Sequence, residues 1–544
     1  MLSTPSSILR RPFLSRLRAG LLSRARLLAL GGLGGLGGLG GLAGLAMGAC
    51  SAVLDFTECR EDIDCADFFT ADMKPMQCGG DQKCVARTGC TSNSQCAGLG
   101  DDFICNLSGS CAATSSDQCD KPIYPDDQPS DKVVFIGSIV ARSGDDAALG
   151  ALAEKAFKRA LDEFHAGGGV VKVGDEDQMV ALVPCDSANS TVSATAAAKH
   201  LGTGLTVPAI LGPLDDDELV TVAKSVSVTN GVFAYTHSPT ATTDIDFDDK
   251  SLVWLTNPKA VYQGRAFGSH LQHEIDASVF DSGDPAATLL FAQDLYGYSM
   301  YYALATQAQD GQPNRIPEIN SQVVSSYNNL ETGKLRIDSF GDTDILIILG
   351  GAEVAELLRH FKTTGKPWPR RVYVAQRSFA AVQALGDATL VASLRAIGPD
   401  LETDNLAALR KRISDAKVPG EFGLAYDAAM VTLLAMSSHT GAEPITGVSI
   451  RAAMGRMSDP AGIKVSFGDA PATFVKAAVT ALQSGKTINL EGVSGPLDYR
   501  NDGSICGDMV ALGLDPTGKT LVPIENFAAS CDQSPLTGTW TPAG

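Results

Sequence analysis

Residues 132–150, KVVFIGSIVARSGDDAALG, join an apolar run to a turn and then to the start of a helix. The run from Lys132 to Val140 is apolar at most positions, which is typical of a strand that is buried on both faces of a sheet. A turn at Gly144 follows, and the next residues carry apolar side chains at helical spacing up to Gly167. A strand that leads directly into a covering helix is the unit of α/β folds, so this stretch predicts the fold class.

The same alternation of apolar strands and amphipathic helices continues towards the C-terminus. Helices are predicted over 189–203, 215–229 and 352–364, and another from Ser299 onwards. The predicted strands are MVALVPC (179–185), PAILG (208–212), GVFAYTH (231–237), ATLLFAQD (287–294), TDILIILG (343–350) and RVYVAQ (371–376). These units are too many for one ordinary sheet, so we expect two α/β lobes with parallel sheets. Ligands of such sheets bind beyond the carboxyl ends of the strands.

A small cysteine-rich segment precedes this body, separated from it by the linker KPIYPDDQPSD (121–131). Eight of the thirteen cysteines form two copies of one pattern, namely Cys59, Cys65, Cys78 and Cys84, then Cys90, Cys96, Cys105 and Cys111. The segment has few apolar residues of its own, so it needs disulfides and an oxidising compartment to fold. Metal binding is the alternative, but the segment has neither a Cys-x2-Cys pair nor a histidine. Cys119, Cys185, Cys506 and Cys531 remain for two further bridges, whose connectivity stays open.

The first 49 residues have the parts of a secretory signal. Six arginines precede an apolar, glycine-rich run, and the segment ends in Met47-Gly48-Ala49-Cys50. This end resembles the lipobox of bacterial lipoproteins, in which the cysteine is lipidated, and the resemblance implies lipidation of Cys50. A transmembrane anchor over residues 27–46 is the alternative, although its glycines disfavour a stable helix. A phosphate-binding loop is excluded because no Gly-Lys-Ser/Thr follows.

The charge of the chain disfavours nucleic acids as partners. The net charge is −19, and removal of the six leader arginines from the 43 basic residues leaves 37 against 62 acidic residues, a net charge of −25. Such a surface repels phosphate backbones. The sequence also has no nucleophile elbow, Walker loop or dinucleotide fingerprint, so we expect no enzyme, no cofactor and no metal. We interpret the pair His270 and His273 as part of a surface helix face.

Seven motifs in family order resemble those of type I periplasmic binding proteins of the Leu/Ile/Val-binding class. In that family, a strand ends in a Pro-x-Thr-Gly turn before an Ala-x-x-Gly helix start, and residues 137–150 are similar to it. The other motifs are FHAGGGV (164–170), ILGPLDDD (210–217), HSPTAT (237–242), DLYGYS (294–299), AYDAAM (425–430) and GVSGPLDYRNDG (492–503). The resemblance spans roughly residues 131–515 and implies a two-lobed α/β fold with two doubly wound parallel sheets.

The resemblance also implies where a ligand is held. In this family, short polar side chains and the amides at helix N-termini hold a small molecule between lobes that close over it. Ser143 stands where the family has a threonine, Asp216 where it has a serine, and Tyr296 matches the tyrosine of the second lobe. The implied ligand-binding residues are Arg142, Ser143, Asp215, Asp216, Ser238, Ala241, Thr242, Tyr296 and Gln376.

The departures from the family motifs argue against an ordinary leucine site. Asp215, Asp216 and Asp217 stand where a serine faces the ligand carboxylate, and two carboxylates repel each other. Acidic residues in the first turn of a helix also cap free amides, so capping is the alternative role for these aspartates. Arg142 either supplies a positive charge to the cleft or is a solvated loop residue. We therefore expect a different small polar ligand, such as a cation or a molecule with an extra group that Arg142 binds.

These observations divide the chain as follows. We expect a removed signal peptide at 1–49, a lipidated tether at 50–58, a duplicated Cys-rich module at 59–119, a linker at 120–131, a body at 132–535 and a tail at 536–544. The first lobe is expected at about 132–254 and 380–490. The second lobe is expected at about 257–376, with the C-terminal segment returning to it.

Three functions follow from the sequence. The preferred one is a lipid-anchored solute-binding protein of the cell envelope, which delivers a small ligand to an ABC importer or reports it to a sensor. The second is an envelope protein that has lost its small ligand and binds a protein partner, as outer-membrane lipoprotein activators with this fold do. The third is an enzyme, for which we find no catalytic constellation. The ligand, the partner and the choice of membrane stay open.

Overall fold

The structure is a computed structural model that describes residues 59–60, 62–65, 76–78, 82–86, 89–144, 146–237, 248–280, 285–305, 322–441, 443–530 and 537–543. The expected leader and Cys50 lie outside the described residues, as do Ser238, Ala241, Thr242 and Cys531. Across the described ranges, no helix combines the length and the apolar character that a membrane crossing requires.

The cysteine-rich segment consists of two similar disulfide-bonded units. The first contains strands β1 (Met76–Cys78) and β2 (Cys84–Ala86), and the second contains β3 (Phe103–Cys105) and β4 (Cys111–Ala113). Each unit joins its first cysteine to its third and its second to its fourth. The pairs are Cys59–Cys78, Cys65–Cys84, Cys90–Cys105 and Cys96–Cys111. The expectation of disulfides is confirmed.

The first lobe is built on a mostly parallel sheet. Its strands are β5 (Val133–Val140), β6 (Val171–Val173), β7 (Glu176–Asp186), β8 (Ala209–Leu211), β9 (Phe233–Thr236) and β10 (Val253–Leu255). Their order is β10-β9-β8-β5-β7-β6, and the pairing is parallel except between β6 and β7. Every residue of β5 is buried, as the opening apolar run predicts.

The helices between these strands cover both faces of the first sheet. They are α1 (Ala147–Ala166), α2 (Thr191–Lys199), α3 (Asp216–Val222) and α4 (Val228–Asn230). Turns of π-helix continue α2 through Gly204 and link α3 to α4. Helix α1 lies very close to the end of β5, because an added Cβ on Gly150 would lie 1.8 Å from the Ala141 carbonyl oxygen. This contact explains the glycine of the opening motif.

The second lobe has a mixed sheet. Its elements are α5 (Ala260–Asp276), β11 (Ala287–Ala292), α6 (Leu295–Ala305), β12 (Gln322–Tyr327), α7 (Leu330–Ser339), β13 (Ile345–Leu349), α8 (Val354–Thr363), β14 (Arg371–Ala375), α9 (Phe379–Ala384) and β15 (Leu394–Pro399). Strands β11 to β15 pair in parallel, in the order β12-β11-β13-β14-β15. The expected start of the returning first-lobe segment at 380 is wrong, since β15 belongs to the second sheet.

The chain then returns to the first lobe and comes back once more. The returning elements are α10 (Asp404–Ile413), α11 (Gly420–Ser437), α12 (Gly447–Met454), β16 (Ile463–Ser466), α13 (Pro471–Gln483) and β17 (Ile488–Glu491). Helices α11 and α13 pack with α1 in one apolar core. Strands β18 (Met509–Leu514), β19 (Leu521–Ser530) and β20 (Thr537–Pro542) then extend the second sheet with antiparallel pairing. The expectation of a wholly parallel second sheet is therefore wrong, because its last three strands pair antiparallel.

Three stretches that cross between the lobes lie together. Leu255 donates its amide to Gly503 at 3.0 Å, and Thr403 donates its hydroxyl to the Val493 carbonyl at 2.5 Å. The buried carboxylate of Asp427 accepts from the Val493 amide at 2.8 Å and from the Ser494 amide at 2.7 Å. Burial raises the pKa of Asp427 to about 7, although these donors oppose the rise. Asp427 of the AYDAAM motif therefore fixes the stretch that begins at Val493 and Ser494, which is the last of the three crossings along the chain.

The second cysteine unit is fixed to the first lobe. Cys119 forms a disulfide with Cys185 in β7, and Ile123 pairs with Leu182 of the same strand. Asn106 also donates to the Gly204 carbonyl at 3.0 Å. Residues around 119–123 thus lie along β7, so this unit is a packed extension of the first lobe.

Candidate functional site

The first side of the site is the N-terminus of α3, directly after β8. Asp215 is the N-cap residue, and its Oδ1 accepts from the amides of Asp217 at 2.9 Å and Glu218 at 3.2 Å. Capping is therefore the role of one carboxylate oxygen of Asp215. The other oxygen, Oδ2, is left to face the second lobe.

The second side is the turn after β14, which carries Arg377. Its Nη2 lies 3.4 Å from Oδ2 of Asp215, and its Nη1 lies 3.6 Å from Oδ2 of Asp294. The guanidinium carbon is 5.0 Å from the centre of the Tyr296 ring, an arrangement that allows a cation–π contact. Arg377 therefore joins residues of both lobes, and two of the predicted site residues, Asp215 and Tyr296, meet there.

The charges at this site are predominantly negative. Burial works against the charge of Arg377, but Asp294, Asp215 and Asp216 outweigh it and raise its pKa. Burial also raises the pKa of Asp294, and it raises that of Asp217 with help from the charge of Asp215. The Leu295 amide at the start of α6 opposes the rise at Asp217, which places the two helix starts close together. The arrangement suits a cation or a molecule with a cationic end.

Asp216 is the most buried aspartate of the three, with 2% of its surface exposed. It lies near enough to Arg377 and Tyr296 to affect the pKa of both. Asp215 lies within ion-pair distance of Arg377. Both aspartates are among the predicted site residues, and both lie beside Arg377.

Ser143 and Arg142 make contacts within the first lobe. Ser143 donates its hydroxyl to Asp186 at 2.7 Å. Arg142 pairs with Asp120 and, through Nε at 2.9 Å, with Glu154 of α1. Arg142 therefore connects the linker to α1. Asp186, the last residue of β7, accepts from both Arg142 and Ser143 and is not among the predicted site residues.

Gln376 belongs to the crossing region. Its side-chain oxygen accepts from Asn257 at 3.1 Å and from Gln263 at 3.5 Å. Gln376 therefore connects β14 to the chain that follows β10, while the adjacent Arg377 reaches Asp215. Sequence reasoning chose a residue one position before the one that contacts the first lobe, although the strand end itself was correctly located.

The HSPTAT loop is only partly described. Ser238, Ala241 and Thr242 lie outside the described residues. His237 just before them is buried, and among the described residues neither ring nitrogen has a hydrogen-bond partner. Burial lowers the pKa of His237 to about 3, so the ring is neutral. Its ring packs edge-on against Phe157 of α1 at 5.7 Å.

The histidine pair on α5 is not a surface face, and that interpretation is wrong. His270 is fully buried, and it contacts the Tyr373 hydroxyl at 3.1 Å and Glu525 of β19 at 3.0 Å. Only His273 has a substantially exposed side chain. Among the described residues, the groups close enough to share a metal ion are cysteines that already form disulfides.

Known proteins with solved structures share this fold. The branched-chain amino acid transporter substrate-binding protein LivJ of Streptococcus pneumoniae, in complex with isoleucine, matches with a TM-score of 0.53 and 13% identity, covering 75% of this chain and all of the other. The leucine-binding protein LivK of Thermotoga maritima matches with a TM-score of 0.53 and 15% identity, and the match covers 72% of this chain and 98% of LivK. A fatty acid ABC transporter substrate-binding protein from Thermomonospora curvata matches with a TM-score of 0.51 and 14% identity, covering 73% and 92%. No curated protein matches the sequence.

The family comparison covers most of the two-lobed body. The model of a family described as periplasmic binding protein matches residues 133–478, which is well over half of the 544 residues. The match begins at β5, where the opening motif lies, and it includes both lobes. The chain therefore belongs to the periplasmic binding protein family, whose members are extracytoplasmic substrate-binding proteins, and the predicted two-lobed fold is confirmed.

Proposed function

We propose that this protein is a lipid-anchored solute-binding protein that takes a small, polar, amino-acid-like ligand between its lobes. One observation supports this proposal most. At the facing strand ends of the two lobes, Arg377 contacts Asp215 of the first lobe and Asp294 and Tyr296 of the second. A site with this many charges in a half-buried cleft favours a ligand whose own charges can replace the internal contacts. Delivery to an ABC importer or to a sensor is the proposed use.

The charges of the site favour a polar ligand over an apolar one. One solved relative is named as a fatty acid binding protein, and two others carry amino-acid names. A fatty acid chain would leave the charges of Asp215, Asp294 and Arg377 without water and without new partners, which is costly. An ordinary leucine site is also disfavoured, because a ligand carboxylate on α3 would face Asp215.

The test is a ligand screen followed by a measurement of closure. We expect one or more amino acids or polyamines to raise the melting temperature of the purified protein, and small-angle scattering to detect a more compact ligand-bound form. Tight leucine binding that Asp215→Asn leaves unchanged would contradict the proposal of an altered site. Glu356→Gln, in the exposed ion pair with Arg359 of α8, is the matched control for loss of a carboxylate.

The lipid anchor is proposed from the leader sequence. Cys50 follows Met47-Gly48-Ala49, and Ser51 next to it is compatible with sorting to an outer membrane. We expect the chain expressed in a bacterial host to partition into detergent and to incorporate labelled palmitate. A Cys50→Ser variant should do neither. Equal partitioning of the two forms would contradict lipidation.

A second candidate function is an envelope protein that binds a protein partner and no small ligand. Two sets of internal contacts favour it. Arg377 already pairs with Asp215 and Asp294, and the Ser143 hydroxyl already donates to Asp186. Under this function, no amino acid or polyamine would shift the melting temperature. A defined complex with one envelope protein would then be recovered from cross-linked cells.

A further inference from the structure

The segment in which the cysteine-rich module meets the linker lies at the edge of the first sheet. Residues 118–123, here the junction segment, run antiparallel along the end of β7. The Asp120 amide donates to the Pro184 carbonyl at 3.0 Å. The Asp186 amide in turn donates to the Gln118 carbonyl at 2.8 Å. One edge of β7 pairs with β5 and the start of the other edge pairs with β6, so the junction segment covers the rest of that second edge. Covering a strand edge is one role of this segment.

The Asp120 side chain makes a further contact, with the turn of residues 141–144 between β5 and α1. Its carboxylate pairs with the guanidinium of Arg142, which also pairs through Nε with Glu154 of α1 at 2.9 Å. Burial works against the charge of the guanidinium, but the carboxylates of Asp120, Glu154 and Asp186 outweigh burial and raise its pKa. The Arg142 side chain is thus held between the junction segment and α1.

The same turn carries Ser143, one of the predicted ligand-binding residues, and it is also fixed by Asp186. The amides of Arg142 and Ser143 donate to Oδ1 of Asp186 at 2.8 and 3.3 Å, and the Ser143 hydroxyl donates to Oδ2 at 2.7 Å. The disulfide between Cys119 and Cys185 joins the junction segment to β7 directly before Asp186. The junction segment therefore supports the turn in two ways, through the backbone of β7 and through the Arg142 side chain.

We propose that Asp120 is a positioning residue for the first-lobe side of the ligand site, because through Arg142 it restricts the turn that presents Ser143. Asp120 lies outside residues 133–478, which the family model matches, so the cysteine-rich module and its linker add this support to the body. The restriction of the turn needs no ligand, whereas its effect on ligand affinity rests on the proposed solute-binding function. The side chain of Asp120 is 66% exposed, so salt screens this ion pair and weakens the restriction.

Hydrogen exchange measured by mass spectrometry on the full chain, purified in detergent, reports on the turn directly. The amides of Arg142 and Ser143 exchange when their contacts with Asp186 open. In peptides that include residues 141–144, we expect Asp120→Asn to exchange about 2- to 5-fold faster than wild type at low salt, and Asp120→Glu to restore part of the protection. Salt at about 1 M should bring the wild-type rate close to that of Asp120→Asn and leave the variant unchanged.

The matched control is Asp127→Asn, which removes another linker aspartate that pairs with α1. Asp127 lies 3.4 Å from Lys158, so the control also breaks one ion pair between the linker and this helix. It should change neither the exchange of residues 141–144 nor its response to salt. Urea unfolding should give Asp120→Asn and Asp127→Asn the same midpoint, which shows that faster exchange of the turn does not come from unfolding of the whole lobe.

Calorimetry then measures affinity for each amino acid or polyamine that binds the wild-type protein. We expect Asp120→Asn to lower this affinity about 2- to 5-fold and Asp127→Asn to leave it unchanged. Equal exchange of the turn in wild type and Asp120→Asn would overturn the inference, because Glu154 and Asp186 would then suffice to fix Arg142. Faster exchange with unchanged affinity would overturn the role of Asp120 in the ligand site. If no probe binds the wild type, the proposed solute-binding function fails, while the exchange rates still decide whether Asp120 positions the turn.

Discussion

At the scale of single residues, the buried carboxylates are the groups whose charges most affect the stability of this molecule. Glu163, Glu274 and Asp427 are buried, but each has several donors within hydrogen-bond distance. Glu218 is also buried, at the start of α3, and burial raises its pKa although hydrogen bonds from the Ser187 side chain and the Ser190 amide oppose the rise. A carboxylate whose pKa differs between the folded and the unfolded protein makes stability depend on pH.

Glu218 predicts a destabilisation of the first lobe as the pH rises. Burial, followed by the charge of Asp215, raises its pKa to about 7 from an ordinary value of 4.5. The folded protein therefore holds this proton more tightly, so the stabilisation is complete below pH 4.5 and is lost as the pH rises through about 7. Chemical denaturation should find Glu218→Gln more stable than wild type at pH 8, by about 3 kcal/mol at most. The two should agree at pH 4.5.

The control for this prediction is Glu331→Gln, which removes an exposed glutamate paired with Lys334. It should not change the pH profile. Asp427 titrates in the same direction, so some pH dependence will persist in Glu218→Gln. A Glu218→Gln profile that runs parallel to the wild-type profile would contradict the assignment.

Glu274 predicts a large loss of stability when its charge is removed. Its carboxylate binds Arg371 and Arg395 at 2.8 Å each and accepts from the Tyr373 hydroxyl at 2.7 Å, with 7% of the side chain exposed. Removing one member of such a buried group leaves uncompensated charges and costs about 3–5 kcal/mol. We expect Glu274→Gln to show this loss in urea unfolding. The exposed pair of Glu356 and Arg359 is the comparison, where Glu356→Gln should change stability by less than about 1 kcal/mol.

At the scale of elements, the apolar patterns predicted the strands better than the helix ends. Strand β14 ends at Ala375, within one residue of the predicted end. Helix α6 begins at Leu295, four residues before the predicted Ser299, because Asp294 accepts from the Gly297 amide at 2.7 Å and starts the helix earlier. Helix α2 ends at Lys199, and a π-helical turn over His200–Gly204 covers the rest of the predicted helix, which was expected to end at residue 203. Local hydrogen bonds therefore decide where a helix begins and ends.

The packing of α1 on β5 gives a prediction at this scale. An added methyl group on Gly150 meets the Ala141 carbonyl oxygen and carbon, which are backbone atoms that cannot turn aside. We expect Gly150→Ala to destabilise the first lobe by about 1–3 kcal/mol or more in thermal unfolding. Gly341→Ala is the matched control, since no atom lies within 4 Å of its added Cβ. Equal melting temperatures of the two variants would show that α1 packs otherwise.

At the scale of the whole molecule, the second cysteine unit and the two lobes are linked in different ways. The unit is joined to the first lobe by the disulfide of Cys119 and Cys185 and by pairing of Ile123 with Leu182. The lobes are joined by chain crossings and by the contact of Arg377 with Asp215. A covalent bond cannot exchange partners on ligand binding, whereas an ion pair can. Hence we expect the cysteine unit to move with the first lobe.

Removal of the Cys119–Cys185 bridge tests this rigid attachment. The bridge closes a sequence separation of 66 residues, and loss of such a disulfide costs about 2–4 kcal/mol. We expect the double variant Cys119→Ser, Cys185→Ser to unfold at lower denaturant concentration and to be cleaved by protease near residues 115–130. The double variant Cys90→Ser, Cys105→Ser opens a bridge inside the unit and should leave unfolding of the first lobe unchanged. Identical unfolding of both double variants would disprove the attachment.

The sequence by itself determined the alternation of strands and helices, the two lobes, the disulfide-bonded unit and the family. These properties depend on neighbouring residues and on motif order, so they can be read along the chain. Only the tertiary structure decided that Arg377 and not Gln376 meets Asp215, that β15 joins the second sheet and that His270 is buried. Those outcomes depend on partners far away in the chain, such as Asp215, which lies 162 residues before Arg377. Side-chain direction at a strand end is set by such distant contacts, and no local pattern specifies them.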